Sequence, residues 1–171
     1  PPEAADSTGV DEAAGVDAVI AEGFEAGGHN GRDETTTMVL VPAVVDAVSI
    51  PVVAAGGSAD GRSMAAALML GAEGVQMGSR FVATPEASAH EAFKGEVLNA
   101  GEGSTQLTLK ELAPVRLLKN PFYAEVAAAY ARGAQAEELA ALEAMIHPRV
   151  RQAIDSALIP SALNVVAIPL L

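Results

Sequence analysis

Short apolar runs alternate with glycine-bearing breaks over the first half of the chain. Residues 17–21 (DAVIA) predict a buried strand. Leu40, Val41, Val44, Val45 and Val48 recur at helical spacing and predict a helix over 39–48, with Pro42 tolerable in its first turn. Residues 51–55 (PVVAA) predict a second strand, ended by Gly56 and Gly57. Asp60 can cap a helix that runs through Ala65, Leu68 and Met69 to a stop at Gly71. Residues 74–77 predict a third strand, ended by Gly78. Strand and helix signals that alternate with short connections define an α/β fold with a parallel sheet.

From His90 onward the pattern reads as helical. Asn120-Pro121 is a cap followed by proline at the first helical position, and Gly133 closes that helix. A further helix is expected over 136–146, stopping near Pro148, and a last one over 149–158. The organisation expected is an acidic N-terminal arm or helix end (1–15), an α/β unit (16–100), a helical region (101–159) and an apolar tail (160–171). No internal repeat stands out.

Composition narrows the picture. Half of the 171 residues are hydrophobic but only 4% are aromatic, so Ala, Val, Leu and Ile must build the core. A net charge of −12 repels phosphate backbones, which argues against a nucleic-acid partner. The absence of cysteine excludes disulfides, thiolate nucleophiles and cysteine-based zinc sites, and fits a cytoplasmic location. The first residues carry no signal-peptide pattern. The uncharged run of 16 residues after Asp155 is interrupted by two prolines and falls short of a membrane span, so a membrane partner is not expected.

Three glycine-bearing strand ends follow one another: EAGGH at 25–29, AAGGSADGR at 54–62 and VQMGSRF at 75–81. In a parallel array these loops leave the sheet on one edge. Glycine lets backbone N–H groups approach an anion, and each following helix presents its positive end. Each loop alone is an ordinary tight turn; together they suggest a phosphate site of the kind found in (β/α)₈ barrels. There is no GxGxxG run opening a helix and no Walker A loop. His29 either caps or hydrogen-bonds locally within a glycine-rich turn, or faces the pocket as a proton-exchanging group. His90 and His147 read as solvated or capping residues, and Arg32, Asp33 and Glu34 as solvated loop charges. No pair of histidines has a metal-ligand spacing, so no metal is expected.

The run AEGFEAGGHNGRDETTTM…IPVVAAGGSADGR…LGAEGVQMGSRFVAT resembles the FMN-dependent nitronate monooxygenase family, once called 2-nitropropane dioxygenases, which includes flavin-dependent enoyl-acyl carrier protein reductases. The likeness extends over roughly residues 14–142, including HEAFK at 90–94 and LTLKELAPVRLLKNPFY at 107–123. It implies a (β/α)₈ barrel with FMN at the carboxyl ends of the strands, of which this chain carries about the last three β/α units, a partial barrel followed by C-terminal helices. It implies that Gly27 and Gly28 approach the flavin, and that Gly56, Gly57, Gly78 and Ser79 bind its phosphate, Ser79 standing where the family more often has threonine. Glu22, Gln76 and Met77 would line the cofactor, and His29 would be the active-site histidine. The reaction implied is oxidation of an alkyl nitronate by O₂ to a carbonyl compound and nitrite. The alternatives are NAD(P)H-dependent reduction of an enoyl thioester, and a partial barrel that binds FMN or phosphate weakly without turnover.

Overall fold

The strand signals at the front of the chain arise from alternating small apolar residues, and they pair as a parallel layer. The computed structural model describes residues 15–145. Strands β1 (Val19–Glu22), β3 (Val52–Ala55) and β4 (Gly74–Gln76) lie in the order β1-β3-β4, each pair parallel. Along β1 the residues alternate: Val19 and Ala21 are buried, Ile20 and Glu22 exposed. The buried face packs on helices α1 (Thr37–Val45) and α2 (Gly61–Met69), so that Val19, Ala21, Val52 and Ala54 meet Val41, Val44 and Ala67. Each fully buried valine contributes about 1.5–3 kcal/mol by leaving water. The opposite face stays open, with Ile20 58% exposed.

Local chemistry explains where these elements begin and end. Asp60 caps α2 through a reciprocal capping box with Ser63, and Gly71 follows the helix at φ +98°. Helix α1 starts two residues before the expected position, because Thr37 finds a cap for its N–H in a distant carboxylate described below. Pro42 therefore lies beyond the first turn, inside the helix, where it removes one backbone donor. β1 and β4 are each shifted or shortened at their ends relative to the sequence expectation.

The larger difference lies after residue 90. That stretch contains helices α4 (Glu91–Asn99), α5 (Pro121–Ala131) and α6 (Ala136–Ala144), after the short α3 (Ser79–Val82), but also two strands. β5 (Thr105–Thr108) and β6 (Val115–Leu118) form an antiparallel hairpin, and β2 (Gly28–His29) joins β6 to give a second sheet in the order β2-β6-β5. This sheet and helices α5 and α6 share a second core of Leu109, Val115, Val126, Ala129 and Leu139. Asn120 caps α5 by accepting from the Tyr123 N–H, with Pro121 at the first position, and Gly133 follows at φ +76°, as the sequence predicts. The N-terminal arm, the helix expected over 149–158, His147 and the apolar tail lie outside the described residues. Among the described residues, no helix is long and apolar enough to cross a membrane.

Candidate functional site

The parallel register places Glu22, Ala55 and Gln76 side by side at the last positions of β1, β3 and β4. The loops that begin at Gly23, Gly56 and Met77 therefore leave from one edge, as the strand order requires. Gly56 has φ +99°, and a Cβ there would lie 2.8 Å from Gly23 O and 3.1 Å from the Ala26 nitrogen. The first and second loops are thus packed backbone to backbone, at a spacing that only glycine permits. Gly57 follows at φ +68°, against the Glu25 side chain, and Gly28 has φ +89°.

Backbone donors on this edge divide into two kinds. The first turn of α1 is occupied: the Thr37 N–H donates to Glu25 Oε2 at 2.9 Å. The first turn of α2 is occupied as well, since Asp60 accepts from the Arg62 and Ser63 N–H groups at 2.9 and 3.2 Å. The Arg62 guanidinium also donates to Asp60 at 2.9 and 2.5 Å, and these bonds hold the Asp60 carboxyl down at about 2. Two of the three helix ends expected to present positive charge are thus neutralised by the chain's own carboxylates. In contrast, no acceptor among the described residues takes the N–H of Gly57, Gly78 or Ser79. These three donors suit an anion such as a phosphate.

His29 stands on β2, paired with Val115 of β6, and not in a free turn. Its side chain is 53% exposed, and Nε2 lies 3.5 Å from Glu143 Oε1 on α6. The turn before it is closed by Asn30, whose Nδ2 donates to the carbonyls of Ala26 and Gly28 at 3.1 and 2.9 Å. The Asn30 backbone N–H donates to Pro114 O at 2.8 Å. Arg116 ties the same turn to the second sheet: Nε and Nη2 donate to Phe24 O at 3.2 and 2.9 Å, and the guanidinium lies 5.2 Å from the Phe24 ring centre. Glu22, though exposed as a residue, has its carboxyl pKa raised by the desolvation of its strand-end surroundings.

The structure therefore gathers Glu22, Gly56, Gly57, Gln76, Met77, Gly78 and Ser79 at one sheet edge, with Gly27, Gly28 and His29 carried on the neighbouring turn and second sheet. Sequence reasoning missed Glu25, Thr37, Arg116 and Glu143. Their partners lie far along the chain, and no local spacing marks them. Arg32 and Glu34 are exposed loop charges as expected, and each also has a distant partner: Arg32 donates to Leu112 O at 2.5 Å, and Glu34 pairs with Lys110 at 2.5 Å. His90 behaves as a cap, its Nδ1 accepting from the Ala92 N–H at 3.1 Å. Among the described residues, no three histidine or carboxylate side chains gather as a metal site would require.

Fold and edge define an α/β protein with backbone donors that meet no acceptor among the described residues, beyond the carboxyl ends of parallel strands and beside a histidine held by a second sheet. The chain belongs to the nitronate monooxygenase family, whose model matches residues 3–167. A probable nitronate monooxygenase from Staphylococcus aureus (strain Newman) is 45% identical over 115 residues, which is 60% of this chain and 32% of that protein. The structure of FabK from Thermotoga maritima superposes with a TM-score of 0.75 at 45% identity, over 87% of this chain and 46% of FabK. A nitroalkane oxidase from Streptomyces ansochromogenes gives a TM-score of 0.62 at 40% identity, over 71% of this chain and 38% of that one. The chain thus spans 32% to 46% of the length of these relatives.

Proposed function

We propose that this chain carries the phosphate-binding part of an FMN site in a cytoplasmic oxidoreductase that acts on alkyl nitronates. The observation that carries this reading is the set of N–H groups at Gly57, Gly78 and Ser79 that meet no acceptor among the described residues, on the strand edge of a nitronate monooxygenase family member. These groups and the Ser79 hydroxyl would hold the phosphate. Gly27 and Gly28 would let the backbone approach the ring, with Glu22, Gln76 and Met77 lining it. The parallel layer is read as a section of a (β/α)₈ barrel, helices outside and the Ile20 face inward.

Bound FMN would supply the two-electron redox chemistry that links a nitronate carbon to O₂. The chain's own part is positional and acid–base. His29 offers an imidazole held by the β2–β6 pairing, with Nε2 beside Glu143, and is the group proposed to exchange a proton with substrate. The raised Glu22 pKa makes its neutral, hydrogen-bond-donating form easier to reach than that of an ordinary glutamate.

The test is the visible spectrum of the purified chain after addition of FMN and removal of free flavin by gel filtration, followed by nitrite release from a nitronate under O₂. Co-eluting flavin, together with a turnover that falls about 100-fold or more in His29→Ala while flavin is retained, is the expected result. A folded protein without flavin would overturn the cofactor assignment. Retained flavin with NAD(P)H-dependent reduction of a crotonyl thioester, and no nitrite, would redirect the reading to the reductase branch. Unchanged turnover in His29→Ala would make His29 a structural strand residue.

A further inference from the structure

Thr37 sits where three segments meet. Its backbone is fixed as the first residue of α1, and its N–H donates to Glu25 Oε2 at 2.9 Å. Its hydroxyl oxygen lies 2.9 Å from the same Glu25 oxygen, 3.1 Å from Gly56 O and 3.4 Å from Ala55 O. Gly23 presses on it from the first loop, where an added Cβ would come within 2.6 Å of Thr37 Cα. A hydroxyl has one hydrogen to donate. Glu25 Oε2 and Gly56 O, at 2.9 and 3.1 Å, are the two nearest acceptors for that hydrogen.

The Gly56 contact matters because of peptide geometry. In a trans peptide the C=O and the next N–H point in opposite directions within one plane. Whatever holds Gly56 O therefore sets the direction of the Gly57 N–H, which meets no acceptor among the described residues. Two consecutive glycines, at φ +99° and +68°, give this peptide little preference of its own, so its orientation needs an external hold. The geometry points to Thr37 as a positioning residue: its hydroxyl anchors the Gly56–Gly57 peptide and so aims the Gly57 N–H outward at a bound phosphate. This inference rests on the FMN-phosphate reading above and adds to it a residue that never touches the cofactor.

Riboflavin, which lacks the phosphate, separates this role from general loop stability. Affinities for FMN and riboflavin would be measured on the purified chain and on Thr37→Ser, Thr37→Val and Thr37→Ala. Thr37→Ser keeps the hydroxyl and retains the FMN affinity. Thr37→Val loses about tenfold in FMN affinity, the worth of one hydrogen bond to a charged group, with riboflavin affinity little changed. Thr37→Ala does the same without placing a methyl group against the Gly56 carbonyl, and serves if the valine variant fails to fold. Equal FMN affinity in the parent chain and in the alanine variant would overturn the inference and leave the function intact. If the parent chain binds no FMN, the function reading falls, and the residual dipolar coupling of the Gly57 amide in glycine-labelled protein judges this inference alone. The N–H direction should be kept in Thr37→Ser and altered in Thr37→Ala; an unaltered direction in Thr37→Ala overturns it.

Discussion

At the scale of single residues, the same function, an acidic side chain at a helix start, is met in two ways. Asp60 is a local cap, placed directly before α2 and reinforced by Arg62 and Ser63. Glu25 caps α1 from 12 residues away and brings its own loop with it. The local cap makes a pH prediction. The Asp60 pKa in the folded chain is depressed to about 2, below the roughly 3.9 of an unfolded aspartate, so the folded state binds the proton less readily. Its contribution to stability is complete above about pH 4 and is lost as pH falls through about 2. Thermal melts should show Asp60→Asn melting below the parent at pH 6, with the gap closing toward pH 2. A gap that persists unchanged at pH 2 would assign the effect to hydrogen bonding alone.

At the scale of elements, the two faces of β1 invite comparison. Val19 is 6% exposed and Ile20 58%, although they are neighbours. Val19→Ala should cost about 1–3 kcal/mol in urea melts, whereas Ile20→Ala should cost less than about 1 kcal/mol. Equal costs would mean that the Ile20 face is covered in solution. Elements were legible in the sequence where their signals are local: VVAA between proline and glycine, the Asp60 cap, Asn120-Pro121 before α5 and the glycine stops. The strands of the second sheet were not. TQLT and VRLL lie between helical patterns, are four residues each, and depend on pairing with each other and with β2. β2 itself is two residues, too short to show any period. The candidate site divides the same way. Gly56, Gly57 and Gly78 were readable because they follow the ends of β3 and β4, while Gly28 lies within β2 and Thr37 and Arg116 act through contacts that only the folded chain creates.

At the scale of the whole molecule, the described residues form two cores, one between the parallel layer and α1–α2, the other between the second sheet and α5–α6. Polar ties join them, notably Arg116 to Phe24, Arg32 to Leu112 and Glu34 to Lys110. The chain has no tryptophan, and both of its tyrosines, Tyr123 and Tyr130, lie on α5. Tyrosine fluorescence therefore reports the second core alone, while far-ultraviolet circular dichroism reports both. Leu139, 1% exposed, is the buried residue of α6. Leu139→Ala should destabilise the second core by about 2–5 kcal/mol and shift the tyrosine transition more than the circular dichroism transition. Superimposable shifts would show that the two cores unfold as one.

The 92 residues that separate Phe24 from Arg116 also impose an order in time. A chain emerging from the ribosome has β1, β3 and β4, and can pair them, before β6 has been synthesised. Among the described residues the histidine strand has no such early partner: β2 pairs there with β6 alone, and closing so long a loop is an entropic cost met late. During synthesis the glycine edge is therefore assembled first, and the histidine is brought to it only when residues 115–118 arrive.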